Sequence, residues 1–147
     1  MIASGELVAR FGLEPLALLS GVKESFESGH YYSSEPYRGD GLAQTLWQVG
    51  EAGLLQAPVA EVWSTMNGES HWGKEWGVAF LRNRAMFLEE HGMQHPADCF
   101  GDLGAASALA LVALSALGVR GGYRGSPALV YGSSDRGGRA AMVVQGL

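Results

Sequence analysis

The segment that most constrains this chain is its most apolar one, CFGDLGAASALALVALSALG at residues 99–118. Gly101-Asp102-Leu103-Gly104 is typical of a turn, and the predicted helix after it carries Ala, Leu, Val and Ser on every side. A helix with no polar face is covered on all sides in a folded protein. A chain of 147 residues has little material to cover it. The segment therefore predicts a helix at the centre of a larger protein structure.

The composition indicates one globular domain and excludes several classes of function. Hydrophobic residues make up 47% and charged residues 17% of the chain, unlike a disordered protein. The formal net charge is −5 and the ten Lys and Arg residues are scattered, so no nucleic-acid partner is expected. The first twenty residues do not resemble a secretory signal, and the apolar run is too short to span a bilayer. The single cysteine, Cys99, fits a reducing compartment. We expect a cytoplasmic protein with no membrane contact.

Helices and strands are predicted to alternate along the chain. The predicted order is a short or broken helix at 4–19, a loop or extended arm at 20–38, a helix at 40–53, a strand at 59–65, a helix at 71–91, a strand at 94–100, the apolar helix to Leu117, and strands at 127–133 and 139–145. Asp40 is expected to cap the second helix, and glycines 53, 92 and 118 to end the three longer helices. This alternation indicates an α/β sheet.

Two stretches carry a resemblance to a known family. EVWSTMNGESHWGKEWGVA (61–79) places an Asn-Gly turn between a strand and a helix, and FGDLGAASALALVALSAL (100–117) is a glycine loop before an apolar helix. With the closing strand, Gly-Gly turn and strand, they resemble the C-terminal half of the β-ketoacyl synthase and thiolase-like fold over about residues 35–145. The resemblance implies a mixed sheet with helices on both faces and an apolar central helix. It also implies an N-terminal segment and arm at 1–38 and a half domain at 39–147.

The resemblance also locates a site and implies that it is degenerate. In the family, two halves pack face to face around two central helices, and the nucleophilic cysteine belongs to the N-terminal half. Two His or Asn residues come from C-terminal loops; the first loop here carries Asn67, and the second position corresponds to Asp102. The chain has no room for the other half, and Cys99, predicted in a strand, cannot replace its cysteine. A carboxylate at position 102 repels a developing oxyanion. We expect no catalytic residue, no cofactor and no condensing activity.

A lone half leaves one side of the apolar helix uncovered. Ala105, Leu109 and Val112 are the residues expected to meet a partner there, because monomers rarely expose apolar patches of this size. A second copy of the chain or a different protein is the expected cover. Alternatively, the segment 4–19 folds over the patch through its own leucines.

The arm SFESGHYYSSEPYR, residues 25–38, is a second candidate contact surface. Tyr31, Tyr32 and Tyr37 stand among polar residues, a composition typical of recognition surfaces. The alternative is an arm that packs on its own domain, and the sequence leaves both open.

Metal sites and an acidic site are the less favoured interpretations of the remaining polar residues. His71 and Glu75 lie four apart beside tryptophans, which favours a packed helix start. His91, His95 and Cys99 share that spacing, but Gly92 and Pro96 interrupt any helix between them, so no metal is expected. An acidic cluster of Glu69, Glu75 and Asp102 is less expected than solvated loops.

The family resemblance favours one function and leaves two others open. Proteins similar to degenerate β-ketoacyl synthases occur beside type VI secretion effectors, where one is a co-chaperone that binds the effector's adaptor. By that resemblance we expect a non-catalytic protein-binding adaptor or co-chaperone. The alternative is one subunit of a split β-ketoacyl-ACP synthase or acyltransferase whose nucleophilic cysteine lies on a partner. A third possibility is that the chain is part of a longer protein.

Overall fold

The computed structural model describes all residues from 1 to 147, and it contains one five-stranded mixed sheet with helices on both faces. The elements are α1 (Gly5–Phe11), β1 (Leu18–Phe26), α2 (Asp40–Glu51), β2 (Val59–Ser64), α3 (Ser70–Arg82), β3 (Phe87–Gln94), α4 (Ala97–Phe100), α5 (Ser107–Arg120), β4 (Ala128–Ser133) and β5 (Gly138–Gln145). The strand order is β1-β5-β4-β2-β3; β2 is parallel to β3 and β4, whereas β5 is antiparallel to β4 and β1. The predicted α/β class is confirmed.

Helices α2 and α3 cover one face of the sheet. Leu42, Leu46 and Val49 recur with helical spacing, as predicted, and all three are fully buried. They pack against side chains of β4 and β5 such as Leu129 and Val143. Burying each such side chain stabilises the fold by about 1.5–3 kcal/mol, so this layer is the main core.

Helix α5 covers only part of the other face. Its Leu111 and Val112 pack with Trp63 of β2 and with small apolar residues of β4 and β5. The second half of the edge strand β1 is left uncovered there, and its Val22 is 65% exposed. The Ser25 hydroxyl donates to the Gly41 carbonyl of α2, so Phe26, the next residue along the strand, points to the α5 side and is 63% exposed.

The segment predicted as a loop or extended arm contributes a strand to the sheet. Its residues 20–26 belong to β1, which pairs with β5 from Leu18↔Gln145 to Phe26↔Gly138. The sequence does not predict this strand, because an edge strand with polar residues and Gly21 shows little alternation of apolar and polar residues. The residues after Phe26 form turns and loop as far as α2. The domain boundary at residue 38 stays a prediction, and β1 lies on the N-terminal side of it.

The prediction of one helix over 71–91 was wrong beyond Arg82. The Asn83 amide donates to the Ala79 carbonyl at 2.9 Å and to the Ala43 carbonyl at 3.0 Å, which ties the end of α3 to α2. A single 3-10 turn follows, and the buried Phe87 then begins β3. Gly92 lies inside β3 and ends no helix.

The predicted strand at 94–100 was also wrong. Only Gln94 belongs to a strand, and Cys99 lies in the short helix α4. Pro96 precedes that helix with a φ of −59°, an angle that suits the start of a helix.

Three predicted helix boundaries shift for local reasons. Asp40 does not cap α2; Gly39 occupies the cap position, and the Asp40 carboxylate binds Arg82 at 2.7 Å. Helix α5 runs through Gly118 to Arg120, and Gly118 is buried beside Arg124, where an added Cβ would lie 2.7 Å from the Arg124 side chain. Helix α2 ends at Glu51, two residues before Gly53. The two closing strands and the hairpin loop between them are confirmed.

Candidate functional site

An open pocket of about 480 Å³ lies where the carboxyl ends of β1, β2 and β4 meet the amino end of α5. Ligand sites of open α/β sheets occur at this edge, outside the carboxyl ends of parallel strands. Its lining includes Glu24, Ser25, Thr65, Asn67, Trp72, Asp102, Ala105, Ser107, Ser133, Asp135 and Arg139. The strand order therefore brings distant parts of the sequence to one surface.

The two residues that the family resemblance assigned to a site, Asn67 and Asp102, both line this pocket. Each is oriented by a backbone N–H two residues further on. Glu69 donates to the Asn67 side-chain oxygen at 3.2 Å, and Gly104 donates to the Asp102 carboxylate at 2.7 Å. These hydrogen bonds leave the Asn67 amide as a donor and the second Asp102 oxygen as an acceptor. Their functional roles remain predictions.

The charge of the pocket disfavours an oxyanion. Three carboxylates, those of Glu24, Asp102 and Asp135, line it together with one cation, Arg139. Arg139 is already paired with the buried carboxylate of Glu75. Stabilising an oxyanion requires donors and positive charge aimed at it, so this lining suits neutral or cationic groups better.

A buried ion pair forms the wall behind the pocket. The Arg139 Nε donates to Glu75 Oε1 at 2.6 Å, and its Nη1 donates to the Ser134 carbonyl at 2.7 Å. The guanidinium carbon lies 5.6 Å from the centre of the Trp72 ring, within the range of a cation–π contact. The other Glu75 oxygen accepts a hydrogen bond from the Ser133 hydroxyl. These contacts fix the junction of α3 with the β4–β5 hairpin.

None of the pocket's hydroxyl groups has the partners of an activated nucleophile. The Ser133 hydroxyl meets the Glu75 carboxylate, but that carboxylate is held by Arg139 and is not a free base. Cys99 is exposed on α4 and is not part of the pocket lining. Neither Ser133 nor Cys99 is therefore placed in the pocket beside a free base.

The predicted tyrosine surface is divided between packing and exposure. Tyr37 packs on His71, with ring centres 4.7 Å apart, and is half-buried. Burial raises the pKa of the Tyr37 hydroxyl well above its usual value, and the carboxylates of Glu75 and Glu27 raise it further. Tyr31 stacks on Trp72 and is 49% exposed, and Tyr32 is 67% exposed. Only Tyr31 and Tyr32 are therefore presented to solvent.

Helix α5 exposes one apolar side, as predicted for a lone half. Leu109 is 67% exposed and Leu117 is 48% exposed, and Ala105 is exposed at the turn before the helix. Val112, which was expected to meet a partner, instead packs against the sheet of its own domain and is 8% exposed. Because successive residues of a helix point in different directions, Val112 faces the sheet while Leu109 and Leu117 face away from it.

The N-terminal segment covers only one end of α5. Ala17 and Leu19 pack against the core beneath the helix, and Arg120 binds the Glu14 carboxylate at 2.6 Å and the Pro15 carbonyl at 3.1 Å. Leu109 remains exposed all the same. Residues 4–19 therefore do not cover the whole patch, contrary to that alternative.

No group of three or more His, Cys, Asp or Glu side chains is placed to hold a metal ion. Of the histidines considered, His95 contacts Asp98 at 3.4 Å, and His71 belongs to the aromatic cluster under the tyrosines. Glu69 and Glu75 do not form an acidic cluster with Asp102, because Glu69 accepts a hydrogen bond from Trp72 and Glu75 is buried with Arg139. None of the helices has both the length and the apolar character needed to cross a bilayer.

Sequence reasoning missed the pair of Glu75 and Arg139, although a signal was present. Trp72, Glu75 and Ala79 follow helical spacing on the buried side of α3. Arg139 alternates with the buried Ala141 and Val143 on β5. Two opposite charges that both fall at buried positions indicate an ion pair.

Solved structures show which fold this is. The oxazolomycin ketosynthase domain OzmH KS8 of Streptomyces albus JA3453 superposes with a TM-score of 0.77 at 15% identity, over 97% of this chain and 48% of that one. Domain OzmH KS7 gives a TM-score of 0.73 at 13% identity, over 98% and 32%. A chain of the complex AntDE:AntF, a type II PKS acyl-carrier protein with its ketosynthase bound to the hexaketide, gives 0.68 at 13%, over 97% and 37%.

The chain thus spans less than half the length of each of these structures. No protein-family model and no curated protein sequence matches it. The thiolase-like half fold, with its mixed sheet and apolar central helix, is confirmed over nearly the whole chain. These likenesses establish the fold of the chain.

Proposed function

We propose that this chain is a non-catalytic protein-binding module, an adaptor or co-chaperone built on a thiolase-like half fold. The observation that carries the proposal is the exposed apolar side of α5, with Leu109 67% exposed and Leu117 48% exposed on a helix that has no polar face. Exposed apolar patches are typical of surfaces that another protein covers. Burying them removes apolar area from water, which is the main driving force of association.

The pocket supports a binding role rather than a chemical one. Asn67 alone supplies a side-chain amide donor, three carboxylates line the pocket, and the chain's cysteine lies elsewhere. Acyl transfer of the ketosynthase kind needs an activated thiol and donors for the oxyanion. The lining has no thiol, and its one amide donor, Asn67, stands among three carboxylates.

Two exposed tyrosines provide a second contact surface. Tyr31 is held by its stack on Trp72 and by the His71 ring 5.5 Å away, so it is a rigid aromatic group, and Tyr32 packs edge-on against it at 5.3 Å. Exposed aromatic residues with fixed orientation are common anchors at interfaces. A module with two separate contact surfaces is suited to bridging proteins.

The more specific form of the proposal is a co-chaperone that binds an effector adaptor of type VI secretion. It depends on the family resemblance and not on the contacts described above. The test is co-purification of the chain with such an adaptor, followed by measurement of the mass of the complex by light scattering. A defined complex that Leu109→Asp or Tyr32→Ser weakens is expected. An adaptor that binds neither the chain nor its variants would reject this form.

The alternative is a subunit of a split β-ketoacyl-ACP synthase or acyltransferase, with the cysteine on a partner. One observation favours it: Asn67 and Asp102 lie in the same pocket, at the edge where the family resemblance places its site. One structural neighbour contains an acyl-carrier protein in complex with its ketosynthase. The test mixes the chain with a cysteine-bearing ketosynthase half and an acyl-carrier thioester. We expect no thioester loss above that of the half alone; loss that depends on Asn67 would establish the alternative.

A further inference from the structure

The exposed side of α5 carries a regular pattern of small and large residues. Leu109, Ala113 and Leu117 of the helix, together with Ala105 in the 3-10 turn that leads into it, lie four residues apart, and all four are exposed. Residues spaced by four form a ridge along a helix surface. Along this ridge alanine and leucine alternate, so each leucine side chain protrudes beside a hollow that a small alanine side chain leaves.

This ridge is complementary to itself when two copies run in opposite directions. A two-fold axis midway between Leu109 and Ala113 places Leu109 of one copy opposite Ala113 of the other, and Leu117 opposite Ala105. Each protruding leucine then fills the space above an alanine, and both copies use the same patch, as two-fold symmetric interfaces require. In a parallel arrangement, leucine would face leucine and alanine would face alanine, which leaves gaps between the helices.

Charge favours the same direction. The amino end of α5 adjoins the acidic pocket with Glu24, Asp102 and Asp135, and the carboxyl end carries Arg120, which within its own chain already pairs with Glu14. Antiparallel pairing brings the acidic end of one copy to Arg120 of the other. It also sets the positive amino end of each helix dipole beside the negative carboxyl end of the other. Parallel pairing would bring two acidic pockets together.

Apolar residues extend the surface beyond both ends of the ridge. Phe100 and Leu103, 55% and 42% exposed, precede α5, and Leu13 and Leu16, 37% and 45% exposed, lie in the segment that Arg120 holds against its far end. In the antiparallel pair, each apolar flank meets the opposite flank of the second copy. A standard interface buries about 1,200–2,000 Å², and the flanks add apolar area to that of the 14-residue helix.

We propose that two copies of this chain form a symmetric dimer by antiparallel pairing of α5, with Leu109 packed on Ala113 of the second copy and Leu117 on Ala105. The proposal rests on the proposed function, in which the α5 side is a protein contact, and it names the second copy as the occupant. Tyr31 and Tyr32 then remain free for a different protein.

The test is disulfide trapping between full-length chains in which Cys99→Ser removes the native thiol. A mixture of Leu109→Cys protein with Ala113→Cys protein is expected to form a mixed disulfide dimer, identified by its mass. Each variant alone is expected to cross-link much less, because like positions are displaced by about 6 Å along the helices. Leu81→Cys, at a residue of α3 that is 74% exposed, is the control for random collision. Faster cross-linking of Leu109→Cys with itself than in the mixture would overturn the antiparallel arrangement.

Light scattering distinguishes failure of this dimer from failure of the proposed function. The unmodified chain and Leu81→Asp are expected at twice the chain mass, and Leu109→Asp at the chain mass. A monomer that binds a different protein through Leu109 would overturn the dimer and keep the proposed function. A monomer that binds neither a protein nor a hydrophobic dye would overturn both.

Discussion

The Nε of Arg139 lies 2.6 Å from Oε1 of Glu75, and the two side chains are 0% and 1% exposed. Removing one partner of such a pair leaves an uncompensated buried charge, which costs about 3–5 kcal/mol. We therefore expect Arg139→Met and Glu75→Gln each to lower the free energy of unfolding by that amount in urea denaturation. The double variant is expected to recover much of the loss, because it leaves no buried charge.

The exposed pair of Arg82 and Asp40 is the matched control for the buried one. Its atoms are 2.7 Å apart, nearly as close as those of the buried pair, but the side chains are 49% and 61% exposed. Arg82→Met is therefore expected to change the free energy of unfolding by less than about 1 kcal/mol. Equal losses for the two arginine variants would show that Arg139 is not buried with Glu75.

Alkaline pH is expected to destabilise the chain through Tyr37 and Tyr131. Burial raises the pKa of both hydroxyls above the usual value of 10.0. Above about pH 10 the unfolded chain loses these protons while the folded chain retains them, so stability is complete below that pH and falls as the pH rises. The slope is about 1.4 kcal/mol per pH unit for each group.

Tyr37→Phe tests that expectation. Urea midpoints measured between about pH 9 and about pH 11 are expected to fall less steeply for Tyr37→Phe than for the unmodified chain. Tyr123→Phe, which removes the hydroxyl of a residue that is 68% exposed, is the control. Identical slopes for Tyr37→Phe and the unmodified chain would contradict the burial of this hydroxyl.

Gly137→Ala is expected to destabilise the hairpin that adjoins the pocket. Gly137 has a φ of 98°, and an added Cβ would lie 2.6 Å from the Phe26 ring and 2.8 Å from the Glu27 carbonyl. Strain of this kind costs about 1–3 kcal/mol. At Gly138 the nearest atom would be 3.7 Å away, so Gly138→Ala is the control and should change thermal stability much less. Similar losses at the two positions would argue against this turn geometry.

Tyr32→Ser is expected to weaken binding of a different protein partner without affecting the fold. Tyr32 is 67% exposed, and loss of an aromatic anchor typically reduces affinity by about tenfold or more. Calorimetric titration measures the affinity, and thermal unfolding checks that stability is unchanged. Tyr123→Ser, at a similarly exposed residue, is the control. If both serine variants bind as tightly as the unmodified chain, the tyrosine surface has no role in that complex.

Much of the sheet could be predicted from the sequence because its strands and helices carry strong periodic signals. Leu42, Leu46 and Val49 mark the buried side of α2, and Val62 and Trp63 mark β2. The closing hairpin has its turn residues between two apolar strands. In each case local preference and burial agree, which is when sequence patterns are informative.

The elements that could not be predicted have weak or competing local signals. Strand β1 is half exposed at the sheet edge, so its residues lack the apolar alternation of a buried strand. Strand β3 reads FLEEHGMQ, which continues the helical composition of α3, and the contact of Asn83 with α2 lies where that helix ends. Such tertiary contacts override local preference.

The same distinction applies to the candidate site. Asn67 and Asp102 could be located through the family resemblance, and the strand order brings them together. The exposure of Leu109 could be anticipated from the absence of a polar face on α5, whereas the burial of Val112 depends on how the helix is rotated over the sheet. Rotation is set by packing across the layers, which a single segment does not encode.

The pairing of β1 with β5 has a consequence for biosynthesis. Leu18 lies opposite Gln145, so β1 leaves the ribosome long before the strand with which it pairs. Until β5 emerges, β1 and the apolar α5 have no complete sheet to pack on, and such nascent segments are prone to aggregate. Slowing translation near the hairpin would prolong that exposure, and synthesis alongside a binding partner or a chaperone would shorten it. The yield of folded chain in cells is therefore expected to depend on what is present during synthesis, even when the finished chain is stable.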